Sequence, residues 1–418
     1  MDDGLEAARR RDREDPLAGL RERFHVPEGY YMDGNSLGPL SVDAERAVQQ
    51  RLEEWRELGV NGWTDADPDW FFTGERLGDR LAPLVGASEP SVVVCNSTTT
   101  NVHSLVGTFL DEAAGDRVLV NELDFPTDHY AVRAQLRRRG LDPEEALVAV
   151  ESRDGRTIET EDVVDAITED VGLVFMPGVL YRSGQLFDME RIAEAAHERG
   201  ALVGFDLAHS VGVVPHHLDE WGVDFATWCS YKYLNAGPGA IAGLYVNERH
   251  FGVTPELPGW WGHEKATQFE MRERFTPAES AGAFQIGTIP VLSAAPLAGS
   301  LDVFEETTIE AVREKSLALT GFLIDQVDER LPECGVGTPR EPERRGGHVA
   351  VEHPEAERLS LALNDRDVVV DFRPPDVVRV CPAPLYSRFE DVYDVVTELQ
   401  AVLDSGAHLE YDPSGGVT

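Results

Sequence analysis

Between about residues 90 and 250 the chain alternates short apolar runs with amphipathic stretches of helical period. Seven runs read as strands. They are Val92-Val93-Val94, Arg117-Val118-Leu119-Val120, Leu147-Val148-Ala149-Val150, Leu173-Val174-Phe175-Met176, Leu202-Val203-Gly204-Phe205, Phe225-Ala226-Thr227-Trp228 and Ile241-Ala242-Gly243-Leu244-Tyr245-Val246. Helices are expected between them over residues 101 to 112, 128 to 139, 160 to 169 and 188 to 199. The alternation predicts an α/β fold with a mostly parallel seven-stranded sheet covered on both faces. Such sheets bind ligands beyond the carboxyl ends of their strands.

The flanks read differently. Residues 1 to 28 are charged with helical potential and end at Pro27-Glu28-Gly29. Tyr30-Tyr31-Met32-Asp33 reads as a short strand entering the loop Gly34-Asn35-Ser36-Leu37-Gly38-Pro39. Val42, Ala44, Val48, Leu52, Trp55 and Leu58 recur at helical spacing. A Gly/Pro/Trp-rich section over 252 to 290 breaks the rhythm. After about 300 come a long helix, short strands near 347–351 and 368–372, and a final helix over 389–403. The expected division is an amino-terminal arm over 1–60 that joins the smaller domain, a large domain over 61–300 and a smaller α+β domain over 301–418. Asp412-Pro413-Ser414-Gly415-Gly416 reads as a loose tail.

Composition narrows the class. The 418 residues are 42% hydrophobic, enough for a large core. Net charge is -39, from 76 acidic against 37 basic residues spread along the chain. Distributed acid with scarce lysine suggests adaptation to concentrated salt, where self-repulsion is screened. It argues against nucleic acid or an anionic membrane as partner. The cysteines Cys95, Cys229, Cys334 and Cys381 are far apart with no CxxC spacing, so no metal site is expected. With no basic, apolar leader and no run of eighteen apolar residues, a soluble cytoplasmic protein with reduced thiols is expected.

Lysine is so scarce that it becomes informative. The chain holds Lys232, Lys265 and Lys315 and no others. A lysine amine forms an imine with an aldehyde, and a guanidinium does not. Lys265 sits in a polar stretch and Lys315 on a charged helix face. Lys232 lies among aromatics in Ser230-Tyr231-Lys232-Tyr233-Leu234-Asn235, before a Gly/Pro-rich turn. Partial desolvation there lowers its pKa and makes it nucleophilic, although a half-exposed strand-end lysine fits the same pattern.

The other strand ends supply company. Asn96-Ser97-Thr98-Thr99-Thr100-Asn101 opens a helix, and it suits either a phosphate cradle or a plain helix cap. In Phe125-Pro126-Thr127-Asp128, Phe125 is suited to stack on a flat ring or to fill the core. Asp128 faces the same cleft or caps its helix. Asp206 ends a buried strand, where it neutralises a protonated pyridine nitrogen or caps the next turn. His209 follows over the same ligand or in an ordinary turn. Phosphate cradle, ring platform, ring-nitrogen acid and imine-forming lysine are the four requirements of pyridoxal 5'-phosphate.

Together these segments resemble the kynureninase family, pyridoxal-phosphate enzymes of the aminotransferase class V group. The matching segments are Tyr31-Met32-Asp33-Gly34-Asn35-Ser36-Leu37-Gly38, Phe125-Pro126-Thr127-Asp128, Asp206-Leu207-Ala208-His209-Ser210, Tyr231-Lys232-Tyr233-Leu234-Asn235, Gly259-Trp260-Trp261-Gly262-His263 and Val378-Arg379-Val380. The resemblance implies the type I aminotransferase fold. It assigns Lys232 to the imine, Asp206 to the pyridinium, Phe125 to the ring, and Thr98 and Thr99 to the phosphate. Asp128 and His209 also belong to the cofactor site, and Tyr231 contacts the phosphate and donates a proton. Trp260 and Thr288 reach the phosphate from the partner subunit, implying a homodimer with shared sites. Arg379 grips the substrate α-carboxylate, with Asn35, Ser36 and His209 on the substrate side. No cofactor contact carries over to Pro177, where the family often has a polar residue.

The implied reaction is hydrolysis of L-kynurenine, or of 3-hydroxykynurenine, to anthranilate or its hydroxylated counterpart and L-alanine. It belongs to tryptophan catabolism and NAD biosynthesis. A cysteine desulfurase-like lyase or an aminotransferase shares the cofactor site. The former needs a nucleophilic cysteine, and Arg345-Gly346-Gly347-His348-Val349 offers none. A non-catalytic cofactor-binding regulatory protein is the reading from another class, and it has no need of Arg379.

Overall fold

The seven apolar runs form one sheet in the computed structural model, which describes residues 3–413. Its strands are β1 (Val92–Val94), β2 (Arg117–Asn121), β3 (Leu147–Val150), β4 (Val171–Pro177), β5 (Leu202–Asp206), β6 (Phe225–Trp228) and β7 (Gly243–Val246). They lie in the order β1-β7-β6-β5-β4-β2-β3. Only β7 runs against its neighbours β1 and β6. The other pairs are parallel. The carboxyl ends of β1, β2, β4, β5 and β6 therefore share one edge. β4 is buried at every position, which is why it reads as a continuous apolar run rather than an alternating one.

Helices Thr98–Glu112, Pro126–Arg138, Thr160–Ala166 and Met189–Glu198 fall where the periodicity places them. Helix Val291–Phe304 does not, since a long helix is expected only after about 300. It is apolar on nearly every face and contains Pro296, so it shows no stripe to read. It packs against helix Val42–Leu58. The two backbones approach so closely that a Cβ on Gly299 would sit 2.1 Å from the Asp43 carbonyl oxygen.

A second sheet, in the order Asp371–Arg373, Val377–Val380, Val349–Glu352, Gly335–Val336, is antiparallel throughout. Helices Ile309–Arg330, Ala356–Asn364 and Phe389–Ser405 accompany it. Its core is separate from that of the large sheet and also takes in Ala8 and Met32. Leu17, Leu20 and Phe24 of the amino-terminal arm pack instead into the core of the large sheet. The apolar run near 368–372 is interrupted at Val370. There the Asn364 side chain meets the Val370 N–H and carbonyl, both at 3.4 Å, in place of a strand partner.

Tyr30–Tyr31 pairs in parallel with Val368–Val369. This separate two-stranded pair, with the Asp33–Cys381 bridge after it, ties the start of loop 33–39 to the carboxyl-terminal part, while its far end reaches the lysine turn through Gly38. Lys315, expected on a charged helix face, is instead buried, with Nζ 2.7 Å from the Asp15 carboxylate. Of the tail expected over 412–416, residues 414–416 lie outside the described residues, as do Met1 and Asp2. Among the described residues no helix is long and apolar enough to cross a membrane.

Candidate active site

The shared edge of strand ends encloses a cavity lined by Thr98, Thr99, Phe125, Asp128, Asp206, His209, Tyr231 and Lys232. Every cofactor-side residue named above on this chain's own strand ends therefore borders one space. Asp124, Tyr181 and Cys229 border it too, and none was singled out from the sequence. Pro177 also lines it.

The β1 end shows how local structure divides the work. Asn96 turns the chain with φ 53° and is held by Asn101 Oδ1 at 2.8 Å. Ser97 caps helix Thr98–Glu112, its Oγ accepting from the Thr100 N–H. The plain cap is thus real, but it falls on Ser97. Thr98 and Thr99 are left to present their hydroxyls, and the unpartnered N–H groups of a helix N-terminus, to the cavity.

At the β2 end Phe125 is not a core aromatic. It is 47% exposed at the cavity and meets Tyr181 edge-on at 5.3 Å between ring centroids. Asp128 is fully buried, and neither carboxylate oxygen has a hydrogen-bond partner among the described residues. Asp124 is buried beside it with one unpartnered oxygen. Asp206, at the end of β5, accepts from the Ala208 N–H at 2.7 Å. Burial raises the pKa of all three, that of Asp124 to about 8. An uncompensated buried carboxylate costs several kcal/mol, on the order of 3–5, when its partner is missing. Carboxylates gathered at a cavity wall suit a ligand that brings its own positive charge.

Lys232 Nζ lies 2.8 Å from His209 Nε2. Burial lowers the lysine pKa, with Arg379 and Arg373 acting the same way and the charges of Cys229 and Asp206 opposing. Burial and then the Lys232 charge push the His209 pKa well below its usual value, so the imidazole is neutral. A half-desolvated amine against a neutral imidazole is a competent nucleophile and base. The Tyr231 hydroxyl is kept protonated by the neighbouring Cys229 sulfur and by burial. Lys265, expected in a polar stretch, also lies among aromatics, 4.3 Å from the Trp261 ring and 4.8 Å from Phe71. Its Nζ donates to the Trp261 carbonyl at 3.0 Å, and it does not line the cavity.

Arg379 is buried, not part of a surface ion pair. Its Nε donates to Asp371 Oδ1 at 2.7 Å, Nη1 to the Tyr181 carbonyl at 2.7 Å and Nη2 to Ser36 Oγ at 2.9 Å. With its amide turned so that oxygen faces the guanidinium, Asn35 accepts from Nη1 and Nε at 3.3 Å. Asp371 stands directly opposite Arg379 in the antiparallel hairpin. That pairing was readable in principle from two opposite charges flanking a Pro-Pro turn. Trp260 and Thr288 do not line this chain's cavity. Both are exposed, with Trp260 edge-on to Trp261 and Phe269.

The donor set fits pyridoxal phosphate: hydroxyls and helix N–H groups for an anion, an aromatic face, buried carboxylates for a ring cation and an amine for an aldehyde. Among the described residues no cluster of His, Cys, Asp and Glu is arranged to hold a metal.

Comparison with known proteins gives the same picture. Residues 312–399 match the model of the kynureninase C-terminal domain, and residues 56–219 that of the DegT/DnrJ/EryC1/StrS aminotransferase family. The kynureninase of Geobacillus thermodenitrificans is 47% identical over 411 residues, covering 97% of this chain and 96% of that protein. That of Bacillus anthracis is 47% identical over 405 residues, covering 96% and 95%. Among solved structures, a cysteine desulfurase from Thermococcus onnurineus superposes with a TM-score of 0.79 at 19% identity, covering 93% of this chain and 98% of that one. The cystine C–S lyase C-DES, as a mutant with glycine linked to its PLP cofactor, gives 0.80 at 19% identity, covering 91% and 98%. These two likenesses establish the type I fold alone.

Loop 33–39 reaches the lysine turn because Gly38 has no side chain. Its N–H donates to the Tyr231 carbonyl at 2.7 Å. A Cβ there would lie 2.6 Å from the Lys232 carbonyl oxygen and 2.2 Å from Asn235 Oδ1. Gly38→Ala is therefore expected to cost about 1–3 kcal/mol of stability, read as a lower urea midpoint. An unchanged midpoint would mean the loop yields freely.

Proposed function

This chain belongs to the kynureninase family, and from that premise we propose how its residues divide the work of the reaction. The protein is a pyridoxal-phosphate enzyme that hydrolyses a carbon–carbon bond, cleaving L-kynurenine to anthranilate and L-alanine. When bound, the cofactor supplies an aldehyde for the substrate amine and a protonated ring that withdraws electrons from the α-carbon. Lys232 holds the cofactor and then moves the proton at the substrate α-carbon, for which its lowered pKa suits it. Asp206 and Asp128 keep the proton on the ring nitrogen. Phe125 stacks on the ring, and Thr98, Thr99 and Tyr231 hold the phosphate. The Tyr231 hydroxyl, protonated at neutral pH, supplies the proton to the carbon left after cleavage. His209 stays neutral and keeps the amine oriented.

Arg379 grips the α-carboxylate. Asp371 holds one edge of the guanidinium, so the incoming carboxylate takes over from Ser36 Oγ and the Tyr181 carbonyl on the other. The observation that carries this assignment is the 2.8 Å contact of Lys232 with a neutral histidine, in the cavity that also holds the carboxylates. Cysteine chemistry is disfavoured. Cys229 and Cys381 are buried with raised pKa, and burial puts Cys334 at about 11. The reaction serves tryptophan catabolism, with 3-hydroxykynurenine as the alternative substrate.

A homodimer with shared sites completes the reading. Trp260 and Thr288 are exposed and do not line their own cavity, and Trp55, Val60, Phe72, Phe269 and Met271 are exposed apolar side chains too, Phe269 in ring contact with Trp260. Exposed apolar side chains of this size suit an interface between subunits. The acid excess, net -39, adapts the surface to concentrated salt in a cytoplasmic setting.

Lys232→Ala is expected to abolish the visible cofactor absorbance and to lower anthranilate release at least ~10³-fold, with no sulfide formed from cysteine. Retention of band and turnover would remove the assignment. Mixing Lys232→Ala chains with Thr288→Ala chains, each impaired alone, should restore about a quarter of wild-type activity through hybrid dimers. No recovery after subunit exchange would mean each site is built from one chain. Lowering salt should reduce the melting temperature progressively, and a flat profile would count against salt adaptation.

A further inference from the structure

Asp124 stands four residues before Asp128, and the two bracket the first turn of helix Pro126–Arg138. Phe125 is the N-cap residue and Asp128 the third helical one. A carboxylate in that position ordinarily reaches back to the N-cap N–H. Here that N–H already donates to Asp124 Oδ1 at 2.8 Å. Asp128 has lost its capping partner, and both its oxygens are buried without another among the described residues. The second oxygen of Asp124 is equally unpartnered, and both side chains border the cofactor cavity together with Asp206.

The charges around this group do not balance three ionised carboxylates. From the facing elements come Lys232, the neutral His209, Tyr231 and Cys229. On its far side Asp124 borders a small cavity with Arg156 and Arg182. Both are committed elsewhere, Arg156 to Glu352 at 2.6 Å and Arg182 to Asp376 at 3.7 Å. One ring cation neutralises one carboxylate. Two neighbouring carboxyls in a water-poor space then keep a proton between them.

We propose that Asp124 is a positioning residue: it takes over the helix cap and shares one proton with Asp128, so that Asp128 is held toward Asp206 and the cofactor ring. This rests on the pyridoxal-phosphate reading of the cavity. The upward pKa shifts of Asp124 and Asp128, caused by burial and by the other carboxylates, agree with a retained proton.

Infrared difference spectra of the holoenzyme at neutral pH, wild type minus Asp124→Asn, test it. The difference should contain a carboxylic-acid C=O band that shifts in heavy water. A difference confined to ionised-carboxylate bands would overturn the proposal. Should Asp124→Asn fail to fold, Asp128→Asn must remove the same band, because the proton is common to both. Cofactor affinity supplies a second readout. Asn keeps an acceptor for the cap and a donor toward Asp128, so Asp124→Ala should bind pyridoxal phosphate about tenfold more weakly than Asp124→Asn. Equal losses in the two variants would also overturn it. A wild-type protein that lacks the visible cofactor band would instead defeat the cofactor reading, which keeps the two failures distinct.

Discussion

Buried acid beside a single amine is the constraint on which this fold is organised. Asp124 and Asp128, after β2, are buried and Asp206, at the end of β5, is half-buried, and among the described residues no arginine lines the cavity they border. The large sheet makes this tolerable. Its central strand β4 is buried along its whole length and pairs in parallel with β5 as far as Asp206, so the end of β5 is held by a paired neighbour. A bound cation offsets part of the cost of burying acid, which couples cofactor retention to the integrity of that edge.

The same edge explains why so much was legible before any coordinates. A parallel sheet aligns its carboxyl ends, so residues just after successive strands become neighbours despite being far apart in sequence. Thr98, Phe125, Asp206 and Lys232 could be grouped on that ground alone. Helix and strand positions followed from period, except where burial erased the period, as in helix Val291–Phe304.

What escaped reading depends on contacts across elements. Lys315 looks like a surface lysine until the amino-terminal arm folds over it and delivers Asp15. Lys265 reads as polar by its neighbours in sequence, while its neighbours in space are Trp261 and Phe71. Asp124 drew no reading from the sequence, where helix capping was weighed for Asp128 alone. Only the competition for one N–H shows that two acids cannot both cap. Asp371 was missed because its partner stands across a hairpin, not along a helix.

The strand pair Tyr30–Tyr31 with Val368–Val369 has a mechanical consequence. Arg379 lies on the smaller sheet, with Asn35 and Ser36 of loop 33–39 hydrogen-bonded to it, whereas Lys232 and the carboxylates are carried by the larger. The proposed recognition residues are thus mounted like the two jaws of a caliper. On the proposed assignment, a substrate must therefore be long enough, and charged at the right end, to span the distance between them.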